Sequence, residues 1–231
     1  MKEGFNMLIG LRSGHSRNCS VAIELRNEWE SIKFLYSYVS KILREYGHIV
    51  VDCNSDASNQ IAELVEEANK ANNAGVDLFI SLHMNSYDSS AHGVEAWTWG
   101  ATSRANAVAK RLCDNYAKLG FYNRGVKYNS NYYEMRHIDA TNVIFETCFY
   151  DSAKDISIFS PTSWEDLARS IANAIDPNIP LREAVNAPVV AETSTERYQI
   201  RVYSFESKEL AERCSTIITQ QHGWYNIVEE M

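Results

Sequence analysis

DLFISLHMN, residues 77–85, reads as a strand that alternates at its start and closes on polar chemistry, with His83 at its end. Working outward from it, residues 58–73 suit a helix with Ile61, Leu64, Val65 and Ala68 on one face, and HIVVD (48–52) suits a strand. Residues 28–46 carry Ile32, Leu35, Tyr36, Val39, Ile42 and Leu43 at helical spacing, with Gly47 at the stop. MLIGL (7–11) is a short apolar run that ends at Ser13-Gly14-His15. On the other side, GVEAWTW (93–99) is a strand with Val94, Ala96 and Thr98 facing one way. Residues 102–119 are helical through Ala105, Val108, Ala109 and Leu112. NVIFET (142–147) is an apolar strand, and residues 162–175 form a helix through Trp164, Leu167, Ala168, Ile171 and Ala172. Strands alternating with helices predict an α/β fold, a mostly parallel twisted sheet flanked by helices on both faces.

The composition changes after residue 176. Residues 177–196 hold Pro177, Pro180 and Pro188 without a period and read as a linker between a domain at 1–176 and a small unit at 197–231. That unit reads as βαβ: a strand at 198–204, a helix at 207–221 on Leu210, Cys214, Ile217 and Ile218, and a strand at 224–228. Units below about 40 residues seldom hold a core unaided, so pairing of two copies, a homodimer, is expected of it.

Bulk properties exclude several classes. With 231 residues, 45% of them hydrophobic, the chain can bury one full core and little more. No apolar run approaches the ~20 residues of a membrane span, so no membrane insertion is expected. Residues 1–11 lack the pattern of a secretory leader, which predicts synthesis in the cytoplasm without a signal peptide. A net charge of −8 with no basic stripe argues against nucleic acid as a partner. The five cysteines, an odd number with no C-x-x-C pair, are neither a disulfide framework nor a cysteine-type zinc site. Cys148 is read as a small hydrophobe rather than a nucleophile. No Gly-rich loop follows a strand, which disfavours nucleotide binding.

The chemistry-bearing residues gather at strand ends. His15 follows the first strand, and His83 and Glu146 end two others, so all three face the crevice where ligands of open α/β sheets bind. Glu28 opens the helix after the first strand and reaches the same rim. Two histidines and a carboxylate with one open position are a common catalytic zinc set, and a second carboxylate can act as acid and base beside it. Singly these residues are weak signals: a strand-end histidine is often structural, and Glu28 could simply favour the helix dipole. Glu146 is harder to dismiss, because it interrupts Val143-Ile144-Phe145 and a carboxylate near a core strand is costly unless paired or functional. Among the other histidines, His48 suits a helix cap, His92 lies in a loop, His137 could contact substrate, and nothing marks His222. Tyr128, Tyr132 and Tyr133 could stack on sugars or simply pack.

Four segments, in order, resemble the zinc N-acetylmuramoyl-L-alanine amidases of the Amidase_3 family, found among autolysins and phage endolysins. They are SGHS (13–16), Asn27-Glu28-Trp29 with Glu28 nineteen residues before Gly47, DLFISLHMN (77–85), and NVIFETCFYD (142–151) preceded by NRGVK (123–127). The resemblance runs over residues 7–175. It implies that His15, Glu28 and His83 ligate Zn2+, with Glu24 and Glu30 as neighbours of the chosen Glu28, and that Glu146 is the catalytic acid/base. It implies hydrolysis of the amide between N-acetylmuramic acid and L-alanine in bacterial peptidoglycan, as in an endolysin. A zinc peptidase cutting the stem peptide and a non-catalytic wall-binding protein are the alternatives. Ser16-Arg17, Thr141 and Ser152 depart from the family's usual residues, in loops rather than at ligands. YQIRVYSFESKELAERC (198–214) resembles half of a SPOR-type repeat, which implies a wall-binding or dimerisation role for the tail.

Overall fold

The computed structural model describes residues 6–16 and 25–181. Six strands form one sheet: β1 (Leu8–Ser13), β2 (Ile49–Asp52), β3 (Leu78–Asn85), β4 (Val94–Thr98), β5 (Asn123–Tyr128) and β6 (Thr141–Phe149). Their order is β2-β1-β3-β6-β4-β5, and every neighbouring pair is parallel except β4 with β6. The helices are α1 (Glu28–Glu45), α2 (Gln60–Ala74), α3 (Asn106–Lys118), α4 (Tyr133–His137), α5 (Ala153–Phe159) and α6 (Trp164–Ile175).

The alternation within the strands builds two cores. Ile9, Leu11, Ile80, Leu82, Val143 and Phe145 turn to one face, where Leu35, Val39, Leu43, Leu112, Leu167 and Ile171 of α1, α3 and α6 cover them. Each such side chain taken wholly out of water contributes roughly 1.5–3 kcal/mol. Phe79 turns to the other face, against Ala68 and Ala71 of α2 and against Ile138. The chain steps from β1 outward to β2 and back across to β3, so α1 and α2 must lie on opposite faces if both crossovers are right-handed. That reversal leaves a crevice at the carboxyl ends of β1 and β3.

The mixed sheet with helices on both faces agrees with the expected fold class. Three elements were not anticipated: β5, α4 and α5. The expected apolar face of α2 needs correction. Ile61 is 74% exposed and Val65 37%, while Glu63, Glu67, Ala68 and Ala71 are buried. The reason is Arg12, buried on β1 beneath this helix. Its guanidinium pairs with Glu63 (2.6 Å), Glu67 and Glu134 (3.3 Å) from α2 and α4. A buried cation demands carboxylates, so the helix turns an acidic edge inward. His48 caps the end of α1 as expected, its backbone N–H donating to the Leu43 carbonyl (3.1 Å), while its ring accepts the Met7 N–H (3.3 Å) and meets Asp176 (3.2 Å). The tail at 197–231, most of the linker, Glu24, Cys19, Cys214 and His222 lie outside the described residues.

Candidate metal centre

Glu28 is placed by the start of α1. Asn27 caps the helix, its side chain accepting the Glu30 N–H at 3.2 Å, so Glu28 is the first helical residue and projects at the rim. There it is 2% exposed and accepts the Met84 N–H at 2.9 Å, which ties the helix start to the end of β3. His83 comes from β3 itself, and Thr147 holds its carbonyl at 2.9 Å. His15 follows β1 in a left-handed conformation, φ 58°, a geometry unusual for a residue with a side chain. The preceding Gly14 packs directly on the His83 ring, where an added Cβ would stand 2.3 Å from Nδ1. Only glycine permits that approach.

The structure brings the three side chains to one point. Glu28 Oε1 lies 3.4 Å from His83 Nδ1, and Glu28 Oε2 lies 3.9 Å from His15 Nε2. The imidazoles stand edge to face, 5.1 Å between centroids, and one ligand atom from each of the three residues falls within 4.8 Å of the others. Tetrahedral zinc ligands at ~2.0–2.1 Å from the metal are roughly 3.3–3.4 Å apart, so this donor set fits such an ion with slight closure. Glu30, the neighbouring carboxylate, is exposed on α1 and takes no part among these atoms.

Glu146 is the partner of His83 in the β3–β6 register and so lies beside it on the same face. Its Oε2 is buried with no hydrogen-bond partner among the described residues.

Residues 9–177 match the model of the Amidase_3 family, N-acetylmuramoyl-L-alanine amidase. The chain belongs to that family. An uncharacterised protein of Clostridium perfringens is 32% identical over 174 residues, covering 74% of this chain and 52% of that one. The N-acetylmuramoyl-L-alanine amidase LytC of Bacillus subtilis is 34% identical over 120 residues, covering 49% of this chain and 24% of its own. Among solved structures, the catalytic domain of an endolysin targeting Clostridia Difficile superposes with a TM-score of 0.67 at 26% identity, over 74% of this chain and 97% of that domain. The chain spans about half the length of the Clostridium relative and a quarter of LytC.

The electrostatics of this amidase-family site follow from burial and from the paired carboxylates. Burial pushes the Glu146 carboxyl up to about 7, against the pull of His83 and with the push of Glu28. Burial also lowers His15, helped by His83, which keeps that ring in the neutral form a metal needs. At His83 burial works against charge, but the hydrogen bond to Glu28 and the charge of Glu146 outweigh it and raise the ring's basicity. The Glu28 oxygens beside two imidazole nitrogens are donors of the kind a divalent cation draws together.

Other candidates fall elsewhere. Cys148 is wholly buried in the larger core, and burial raises its thiol well above the ordinary range, so no thiolate is available for attack. His137 stacks on Tyr133 at 3.9 Å, and His92 meets Lys154 at 3.0 Å. Tyr128 is 52% exposed, while Tyr132 packs edge-on against Trp97. Two neighbours of the site escaped sequence reasoning, Glu95 and Arg124. Glu95 pairs with Glu146 across β4 and β6 and is buried. The alternation of GVEAWTW already sets it opposite Val94 and Ala96, and that was the available signal.

Proposed function

We propose that the chain is a zinc-dependent amidase that hydrolyses the bond between the lactyl carbonyl of N-acetylmuramic acid and the nitrogen of L-alanine in peptidoglycan. The observation that carries this reading is the convergence of His15, Glu28 and His83 with Glu146 beside them, in the fold of the family. His15, Glu28 and His83 are the residues that would hold the ion. Zinc bound there supplies Lewis-acid polarisation of the scissile carbonyl and acidifies a water molecule. Glu146, its carboxyl held near neutrality, takes the proton of the attacking water and returns it to the alanine nitrogen as the amide breaks, worth roughly 10²–10⁴-fold in rate. Glu28 does double duty: its Met84 N–H bond fixes one oxygen, so α1 and β3 are locked together by the ligand itself.

The likeness to an endolysin catalytic domain and to a bacterial amidase supports a wall-lytic role, and we read the chain as an endolysin acting on the wall. Purified walls digested with the full chain should release new amino termini of L-alanine, and chelation should abolish that release until zinc is returned. New stem-peptide termini would favour the zinc-peptidase alternative. The segment 197–231 is assigned, on its sequence pattern, to homodimerisation and wall contact.

A further inference from the structure

We propose that Arg124 reads a carboxylate on the stem peptide, the one borne by the residue that follows L-alanine; the assignment rests on the amidase reading of the neighbouring centre. Because β4 runs antiparallel to β6, its first residues lie at the same sheet edge as His83 and Glu146. Glu95 is the Cα partner of Glu146 there, and directly opposed residues of an antiparallel pair are about 4.5–5.5 Å apart. Next to them is a cavity of about 300 Å³, lined in part by Asn85, Tyr87, Glu95, Arg124 and Phe149.

Glu95 is not free to act on substrate. One of its oxygens accepts Asn85 Nδ2 (3.0 Å) and Trp97 Nε1 (3.2 Å), and the other accepts Arg124 Nε (2.7 Å). Its role is to hold the arginine. The guanidinium is further fixed by the Phe149 ring, 5.0 Å from its carbon, and by a 3.4 Å contact from Nη1 to the His92 carbonyl. Nη2 donates to no protein group among the described residues, and the side chain stays 32% exposed. A guanidinium held at Nε and Nη1, with Nη2 open at its outer end, is a pre-organised donor for a planar anion. Lys154, bound to His92 at 3.0 Å, adds positive charge to the same corner. Asp151 and Asp155 nearby are each held by backbone N–H groups through one oxygen, the other being buried without a partner among the described residues. Asp151 accepts the Tyr87 and Ser89 N–H groups (3.0 and 2.9 Å), and Asp155 accepts those of Gly93 and Phe149 (2.8 Å each). Asp88 is tied to Ser90.

The cavity's size suits a carboxyl group with a few carbons rather than a glycan strand, being at the lower end of small-ligand pockets. Stem peptides carry at the position after L-alanine either a free α-carboxylate or its amide. The two forms differ in charge but hardly in shape, so they isolate the guanidinium's contribution.

The test uses the full chain with N-acetylmuramoyl-L-alanyl-D-glutamate and its α-amide. The acid should be favoured in kcat/KM by about tenfold or more, the usual weight of a hydrogen bond to a charged partner. Arg124→Gln should collapse that ratio toward one, chiefly through KM for the acid, and Arg124→Lys should restore part of it. Because Arg124→Gln leaves Glu95 buried without its cation, the pair Glu95→Gln/Arg124→Gln serves as the second variant and should show the same collapse. An unchanged ratio in both, or no preference in the parent, overturns the assignment. If the parent cleaves neither compound, the amidase reading fails by itself, and calorimetry with L-alanyl-D-glutamate decides the subsite. Binding lost in Arg124→Gln supports it, and binding that is absent in the parent or equal in the variant overturns it.

Discussion

Glu146 and Cys148 stand two positions apart on β6, and burial raises both, with different consequences. The carboxyl arrives at about 7, where it can give and take protons, while the thiol is carried far from its reactive form. Glu146→Gln keeps the shape and loses the proton, so it should retain metal and lose roughly 10²–10⁴-fold in turnover. Cys148→Ser should stay active with a modest loss of stability, and loss of turnover in a folded variant would revive a thiol mechanism. With three protein ligands there is no substitute, so His15→Ala, Glu28→Ala and His83→Ala should each lose zinc in metal analysis. Gly14→Ala makes a subtler test. The new Cβ can be placed only by moving the His83 ring, so zinc affinity should fall while far-ultraviolet dichroism is unchanged. These residues were visible in the sequence because each stands at a strand or helix end. Glu95 and Arg124 were not, because their relation to Glu146 exists only through a pairing between β4 and β6 that runs against chain order.

At the scale of elements, the apolar strands and the long helices were legible, since β1, β3 and β6 each carry a short apolar run and α1 carries a full helical stripe. β5 was not: Asn123–Tyr128 is an edge strand, never fully buried, and shows no alternation to read. The orientation of α2 was misjudged because its buried face is chosen by Arg12, a long-range partner. That cluster has a pH signature. Glu67 faces Arg12, Glu63 and Glu134, and burial first, then the two neighbouring carboxylates, push it up to about 9 from 4.5, although Arg12 opposes the rise. A raised carboxyl holds in the folded state a proton that the unfolded chain has released, so stability must decline as pH rises between those values and level off above them. Glu67→Gln resembles the protonated form. Denaturant unfolding between about pH 5 and pH 9 should therefore show a shallower decline for the variant than for the parent. Parallel slopes would mean that Glu67 is ionised in the folded protein.

For the whole molecule, the described part accounts for a sheet, two cores and one site, and among its residues no helix is long and apolar enough to cross a membrane. The assignment of residues 197–231 to dimerisation rests on their short strand-helix-strand pattern and on the lone Cys214, which has no second cysteine in that segment to bridge. Light scattering should find a dimer for the full chain and a monomer for residues 1–181; a monomer in both at micromolar concentration removes that assignment. The chemistry itself is tested most directly by finding which carbonyl receives the attacking oxygen. Walls digested by the full chain in heavy-oxygen water should carry the label in the lactyl carboxylate of muramic acid and release stem peptides that begin with L-alanine. Label in a stem-peptide carboxyl, with the lactyl amide intact, would contradict the account.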